Sequence, residues 1–464
     1  MADLRDHEGE IEKALVRLGR RAPFADVLAE RASGGGVRLD TKATNPSVEP
    51  RLAGAIFRIW DGTRWIESST SSFGAESLDA ATAALEVAAA KGTGHALVPG
   101  LSATTRQEWT TSTPRPMRDV ASEEILALAK DVRGWMTGLP SISDAQVRVG
   151  WEDNERLYLN SAGARCYQRV SRVSAGMSAI AMENGRVEFD FDSRGGVGGR
   201  EILSFLTEPN AAGVAKGARE MLHAAEPPTG EMAVVLDGSV SGLFAHESFG
   251  HGTEADQFVR DRSYLKPILG ETVAPEFLTI ADDGAFPGGW GSIYCDDEGH
   301  PGQKTVLVDR GRFVGALHDR ETAAAFHTSA TGNTRRADFL SRAFVRMTNT
   351  YVEPGDWSLD ELVKEAKNGV LLERGTSGIE DPLGGQMQLK VKRGHRIENG
   401  ELTGLVGSMA LSGKVLDFMR AIRGVGESRV LRIEPGFCGK GTTDLLPVGT
   451  GGAPLLSTAV VGPA

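Results

Sequence analysis

The chain is poor in cysteine, in aromatic side chains and in basic charge. Three cysteines among 464 residues cannot build a disulfide framework, so a small secreted scaffold is excluded and a reducing, intracellular setting is expected. No apolar run reaches the 18 residues or so that a transmembrane helix needs. The opening Met1-Ala2-Asp3-Leu4-Arg5-Asp6 is charged with no apolar stretch behind it, so no signal peptide is expected. Lys and Arg number 51 against 62 Asp and Glu, a net charge of −11. With no basic stripe either, direct nucleic-acid binding is not expected. Aromatics make up only 6% of the chain, yet 40% of residues are hydrophobic, enough to fill sizeable cores.

What the chain has in excess is glycine, 58 of 464 residues, against a usual share of about 7%. The glycines follow no three-residue period, which excludes collagen. Apolar and charged stretches alternate throughout, which excludes wholesale disorder. A soluble, acidic, loop-rich cytoplasmic protein of two or three domains is the expectation.

Residues 8–30 read as a helix, with Ile11, Leu15, Leu18 and Ala22 at three- or four-residue steps. The run Gly54–Trp60, the Asp61-Gly62 turn and Trp65-Ile66 read as a hairpin. Residues 76–91 are Ala-rich and helical, and 92–120 read as a long surface connection. A helix over about 120–138 precedes alternating segments at 147–149, 156–159, 167–170 and 187–191, the pattern of an antiparallel sheet. A further helix over about 208–225 ends in Glu226-Pro227-Pro228-Thr229-Gly230, the best domain boundary in the chain. Beyond it, short apolar strands such as 232–236, 305–308 and 313–317 alternate with glycine turns, and a helix is expected at 358–368. The expected fold class is α+β: an N-terminal α+β domain over 1–226, with an antiparallel sheet and flanking helices, then a β-rich domain over 227–464.

The sharpest local feature is Ala245-His246-Glu247-Ser248-Phe249-Gly250-His251-Gly252. In the H-E-x-x-H pattern two histidines four residues apart share one helix face and can hold one zinc. Here they are five apart, which on a regular helix turns the rings about 140° away from each other. A single π-type turn would bring them back together. A shared metal therefore requires an irregular helix between His246 and His251, which Gly250 and Gly252 would ease. A third ligand is needed, and two residues qualify: Glu254, just downstream, and Cys438, bracketed by glycines and close to Lys440, where a thiol would have a lowered pKa. Cys166 and Cys295 sit in apolar, strand-like surroundings and read as small buried hydrophobes.

With these residues in view, the chain resembles the TldD/PmbA metallopeptidases. The likeness begins at His246-Glu247, His251 and Glu254-Ala255-Asp256. It continues through Asp296-Asp297-Glu298-Gly299, Arg346-Met347-Thr348-Asn349-Thr350-Tyr351, Pro354-Gly355 and Cys438-Gly439-Lys440. These segments follow the family's order across about 225–450, and the Trp60-Asp61-Gly62 hairpin and Gly195-Gly196 fit its weaker N-terminal pattern. After Lys440 the family continues with Gly-Gln before Val-Pro-Val, whereas this chain has Gly441-Thr442-Thr443-Asp444-Leu445-Leu446-Pro447-Val448. That departure bears on substrate preference and partner surface, not on the ligand.

The resemblance implies a TldD-like catalytic subunit with zinc bound by His246, His251 and Cys438. It also implies a dimer, either with itself or with a PmbA/TldE-like partner, acting on unfolded or small peptides, including modified natural products. Zinc so held would polarise an amide and activate water, and Glu247, adjoining His246, would serve as general base. Glu254 and Asp256 are expected as outer carboxylates that fix the histidines. His300, His318 and Arg320 are weaker oxyanion candidates, and Arg346–Tyr351 is expected as an exposed edge that adds a peptide strand. Hydrolysis of a small amide and a non-catalytic binding role are the competing readings.

Overall fold

A computed structural model describes residues 3–41, 44–89, 106–427, 431–440 and 444–464. Helix α1 (Glu8–Gly19) buries Ile11, Ala14, Leu15 and Leu18, spaced so that they share one face. The helical pattern predicted to residue 30 stops at Gly19, and strand β1 (Phe24–Leu39) follows. Phe24 through Glu30 are all buried and paired with neighbouring strands, so sheet pairing overrides the local helical spacing.

Strand β2 (Thr44–Trp60) returns antiparallel to β1, and β3 (Trp65–Thr70) closes the expected hairpin with Trp60 opposite Trp65. Asp61 shapes its turn by accepting from the backbone N–H of Thr63 and Arg64 at 2.8 and 3.0 Å. Helix α2 (Ala75–Ala89) follows. Of the surface connection expected over 92–120, residues up to 105 lie outside the described residues. The remainder holds β4 (Arg106–Thr110). Then come α3 (Ser122–Thr137), β5 (Ile142–Asn160), β6 (Arg165–Glu183), β7 (Arg186–Val197) and α4 (Glu208–Met221). The sheet runs β3-β2-β1-β5-β6, with β4 and β7 both paired to β6, and β4 is its one parallel neighbour. Val132 of α3 and Val214 of α4 share a core with Val147 and Val173 of the sheet, while α1 and α2 cover Val27 and Phe57.

The C-terminal half is built from two sheets around one large core. It opens with β8 (Gly230–Leu236) and α5 (Gly238–Leu243), then α6 (Ala255–Val259), β9 (Ile280–Asp283), β10 (Lys304–Asp309) and β11 (Arg312–Phe313). Next are α7 (Arg320–Ala325), the pair β12 (Thr334–Arg335) and β13 (Phe344–Val345), β14 (Asn349–Val352) and α8 (Leu359–Ala366). Last come β15 (Gly369–Glu380), β16 (Gln386–Glu398), β17 (Glu401–Val406), β18 (Met409–Lys414), α9 (Val415–Arg420) and β19 (Gly424–Val425). Strands β20 (Ile433–Lys440), β21 (Asp444–Gly452) and β22 (Leu455–Pro463) complete the chain. One sheet runs β15-β8-β22-β18-β16, and β15 pairs back on β16 to close a five-strand barrel. The other runs β11-β10-β9-β14-β21-β20. The fold is therefore α+β with a β-rich C-terminal region. No helix of the described residues is long and apolar enough to cross a membrane.

The two halves are joined by buried ion pairs at the turn Asp296–Gly299. Arg58 Nη2 lies 2.6 Å from Asp26 Oδ2 and 2.9 Å from Glu298 Oε1. Arg156 bridges Glu30 and Asp297 at 2.9 and 2.7 Å. The acidic turn Asp296–Gly299 thus anchors the C-terminal half to the long N-terminal strands.

Candidate metal centre

Asp237 caps α5 by accepting from the N–H groups of Ser239 and Val240. Instead of continuing regularly, the helix widens into a π turn over Phe244–Gly250, in which the N–H of His251 bonds to the carbonyl of His246. This is the irregularity that a five-residue spacing requires. The imidazoles of His246 and His251 come to 5.2 Å between ring centres. The glycines here serve close packing, since Gly250 has ordinary helical dihedrals. A Cβ at Gly250 would stand 2.2 Å from Met347 Sδ, and one at Gly242 would stand 2.2 Å from the backbone N of Gly451. The absent side chains let α5 and the turn lie directly on β21 and on the segment before β14.

Cys438, on β20, faces this turn from 187 residues away, with Sγ 3.1 Å from His251 Nε2. Donor atoms of His246, His251 and Cys438 all lie within 4.8 Å of one another, a span that suits one metal ion. Glu254 points elsewhere, so of the two third-ligand candidates only Cys438 joins the two rings. The residues present fit such an ion. His246 Nδ1 is buried with no hydrogen-bond partner. Burial alone would raise the Cys438 thiol, but the charge and hydrogen bonds of His246 and His251 outweigh it and bring the pKa down to about 4. Burial would likewise lower His251, and its contacts with Cys438 and Glu254 raise it instead. A thiolate at this point is ready to ligate a metal.

Lys440 does not act on that thiol as the sequence suggested. Its Nζ is held by Glu254 Oε2 at 2.7 Å, Asp256 Oδ1 at 2.6 Å and the Val345 carbonyl at 3.2 Å. Glu254 also approaches His251 Nδ1 at 3.7 Å and Arg346 Nε at 3.6 Å. Burial would raise its carboxyl, yet Lys440 and Arg346 hold it well below the usual range. Asp256 touches Lys440 rather than a histidine. Glu247 reaches within 3.8 Å of His251 Nε2, and burial raises its pKa despite the neighbouring imidazoles. With His246 it lines an open cleft of about 1150 Å³, walled by Asp237, Arg374, Gly378 and Phe437.

Two expectations fail. Arg346–Tyr351 is no exposed edge: β14 is central, antiparallel to β9 and parallel to β21, and Arg346 and Thr348–Thr350 are buried. His300, His318 and Arg320 do not gather at the metal site. They lie against Asp296, Thr322 and Glu298 respectively. The residue the sequence undervalued is Arg346, wholly buried, with Nε 3.6 Å from Glu254 Oε1 and its guanidinium within reach of the Cys438 thiol. An arginine heading the run Met347-Thr348-Asn349-Thr350, just before β14, was the signal.

Residues 115–225 match the profile of the PmbA/TldA metallopeptidase central domain, and residues 229–458 that of the PmbA/TldA metallopeptidase C-terminal domain. A metalloprotease of Methanocaldococcus jannaschii is 36% identical over 318 residues, 68% of this chain and 69% of that one. A zinc metalloprotease TldD homolog of Saccharolobus solfataricus is 32% identical over 230 residues, covering 49% of this chain and 51% of that one. The crystal structure of TldE from Thermococcus kodakarensis shares the fold at 19% identity, with a TM-score of 0.74 over 97% of this chain and 100% of that one. Since the two profiles follow each other along the chain and a relative of 36% identity is matched over two thirds of its length, this chain belongs to the PmbA/TldA metallopeptidase family and is a metalloprotease.

Proposed function

We propose that the chain is a zinc-dependent peptidase that hydrolyses peptide bonds in unfolded or small peptides, modified natural products among them. The observation that carries this reading is the convergence of His246, His251 and Cys438 beside Glu247, at the wall of an open cleft. Two imidazoles and a thiolate suit zinc, which when bound supplies Lewis acidity towards an amide carbonyl and a lowered pKa for water. Glu247 is the general base: it takes the proton of the attacking water and then passes it to the departing amine. Burial raises its proton affinity, which brings the base closer to neutral pH. Glu254 and Lys440 form the outer layer that holds His251 and the end of β20 in place. A cleft of about 1150 Å³ is larger than most small-molecule pockets, about 300–1,000 Å³, which favours an extended peptide over a small amide.

The same proposal includes a division at residues 226/227, supported by the family profiles that end at 225 and begin at 229. It places the protein in the cytoplasm, where a reducing medium keeps Cys438 available as a ligand. It also includes a dimer, of two copies or with a TldE-like subunit of the same fold. The test is metal analysis by plasma mass spectrometry together with digestion of a peptide library, for wild type and Glu247→Gln. One zinc per chain in both proteins, with cleavage in wild type alone, is the expected result. Equal cleavage by the metal-loaded variant would remove Glu247 from its role. No cleavage by either protein, with or without the partner, would return the reading to a small amide or a binding function.

A further inference from the structure

Six arginines are buried among the described residues: Arg58, Arg172, Arg320, Arg335, Arg336 and Arg346. Four of them face carboxylates. Arg58 and Arg320 lie against Glu298, Arg336 against Glu67 and Arg346 against Glu254. Arg172 and Arg335 differ, for neither makes an ion pair with any described residue. Arg172 donates to the carbonyls of Trp290 and Ser292, both at 2.9 Å, and Arg335 donates to the carbonyl of Met347 at 2.7 Å. Burial lowers both, Arg172 to about 10 and Arg335 to about 9, with the carboxylates of Glu152 and Asp297 offsetting only part of it, so both stay charged at neutral pH. Two desolvated cations without an ion-pair contact are costly to keep unless something pairs with them.

Both line one cavity of about 120 Å³, between the N-terminal sheet and the β20–β21 hairpin. That is several times the room one water needs, about 10–15 Å³. The other charged groups lining it are already engaged or displaced. Asp297 pairs with Arg156, and Asp296 accepts the N–H groups of Glu298, His300 and Thr334. Glu152 sits across the β5–β6 pair from Arg172 without reaching it as an ion pair. Arg335 feels the charge of Asp297 without making an ion pair with it. The cavity also neighbours the catalytic cleft: Phe437 lines both, and the next residue on β20 is Cys438.

We propose that this cavity is a carboxylate-binding subsite of the peptide cleft, in which Arg335 and Arg172 receive the C-terminal carboxylate or an acidic side chain of a bound peptide. The inference rests on the reading of the cleft as a peptide site. Guanidinium groups are well suited to carboxylates, which they bind through charge-assisted and often bidentate hydrogen bonds.

Calorimetric titration of the intact chain carrying Glu247→Gln, which leaves peptides uncut, tests it with three probes: tetra-alanine as free acid, tetra-alanine amide, and Ala-Ala-Glu-Ala amide. Tighter binding of a carboxylate-bearing peptide than of the plain amide, by about tenfold, is expected, and which of the two binds better identifies the carboxylate. Adding Arg335→Gln is expected to bring the preference within about twofold, while Arg335→Lys keeps part of it. Circular dichroism and melting confirm that each variant is folded. Equal binding of all three probes, or no binding of any, overturns the proposal without recourse to a variant. A preference unchanged in a folded Arg335→Gln protein overturns the assignment to this cavity. Library cleavage without any carboxylate preference would leave the peptidase reading standing and remove only the subsite.

Discussion

At the junction of the two halves, Arg58, Arg156, Asp26, Glu30, Asp297 and Glu298 satisfy one another at 2.6–2.9 Å. Around the metal turn, groups buried as deeply are less fully matched: His246 Nδ1 and Ser248 Oγ make no hydrogen bond, and Glu254 Oε1 and Arg346 Nε meet only as an ion pair at 3.6 Å. Buried polar atoms in folded proteins are nearly always paired. The contrast therefore separates two uses of buried charge. A closed network fixes how two halves dock, and an open one retains binding capacity for something the chain itself does not supply. Charge alone would not have distinguished them, since both contain arginine, glutamate and aspartate.

The contrast can be broken from either side. The largest expected effect is at the open cluster: Glu247→Gln lowers peptide turnover by about 10²–10⁴-fold with metal content and melting temperature unchanged, as read by initial rates, plasma mass spectrometry and calorimetry. Next, Cys438→Ser loses stoichiometric metal under the same metal analysis, and with it activity, while the junction stays intact. At the closed cluster the outcome inverts. Arg156→Ala strands Glu30 and Asp297, both buried, and is expected to cost about 3–5 kcal/mol of stability, seen as a lowered denaturation midpoint without direct loss of metal affinity. The last effect concerns pH. Burial raises Glu380 from 4.5 to about 8, so between these values the folded chain holds a proton that the unfolded chain has released. Stability therefore falls as pH rises through that window. Glu380→Gln is expected to flatten that decline in a series of melts from pH 5 to 8.

Local features were legible in the sequence wherever spacing carries geometry. The five-residue spacing of His246 and His251 demanded a widened turn, and Phe244–Gly250 forms one. The Asp61-Gly62 hairpin likewise follows from its turn chemistry. What could not be read was pairing across distance. Arg58 and Glu298 are 240 residues apart, and Cys438 is 187 from His251, so neither the junction network nor a preference for Cys438 over Glu254 follows from spacing. Phe24–Glu30 continued a helical pattern and became a strand because β2 and β5 flank it. Arg346–Tyr351 reads as strand-like and only the family's peptide substrates suggest an edge there, but β9 and β21 enclose its strand part, and no local pattern reports a strand's neighbours.

The π turn has a meaning in genetic terms as well. Such a turn is an α-helical turn that holds one extra residue, so a single codon separates this motif from a four-residue H-E-x-x-H. An added codon taken up in this way widens one turn and leaves His251, and the residues after it, on the faces they would hold beyond a regular helix. Glu254 and Asp256 lie in that downstream stretch and meet Lys440 of the strand that brings Cys438. The turn can therefore change by one residue without moving these carboxylates off Lys440, whereas an insertion not absorbed as a wide turn would swing them about 100° away.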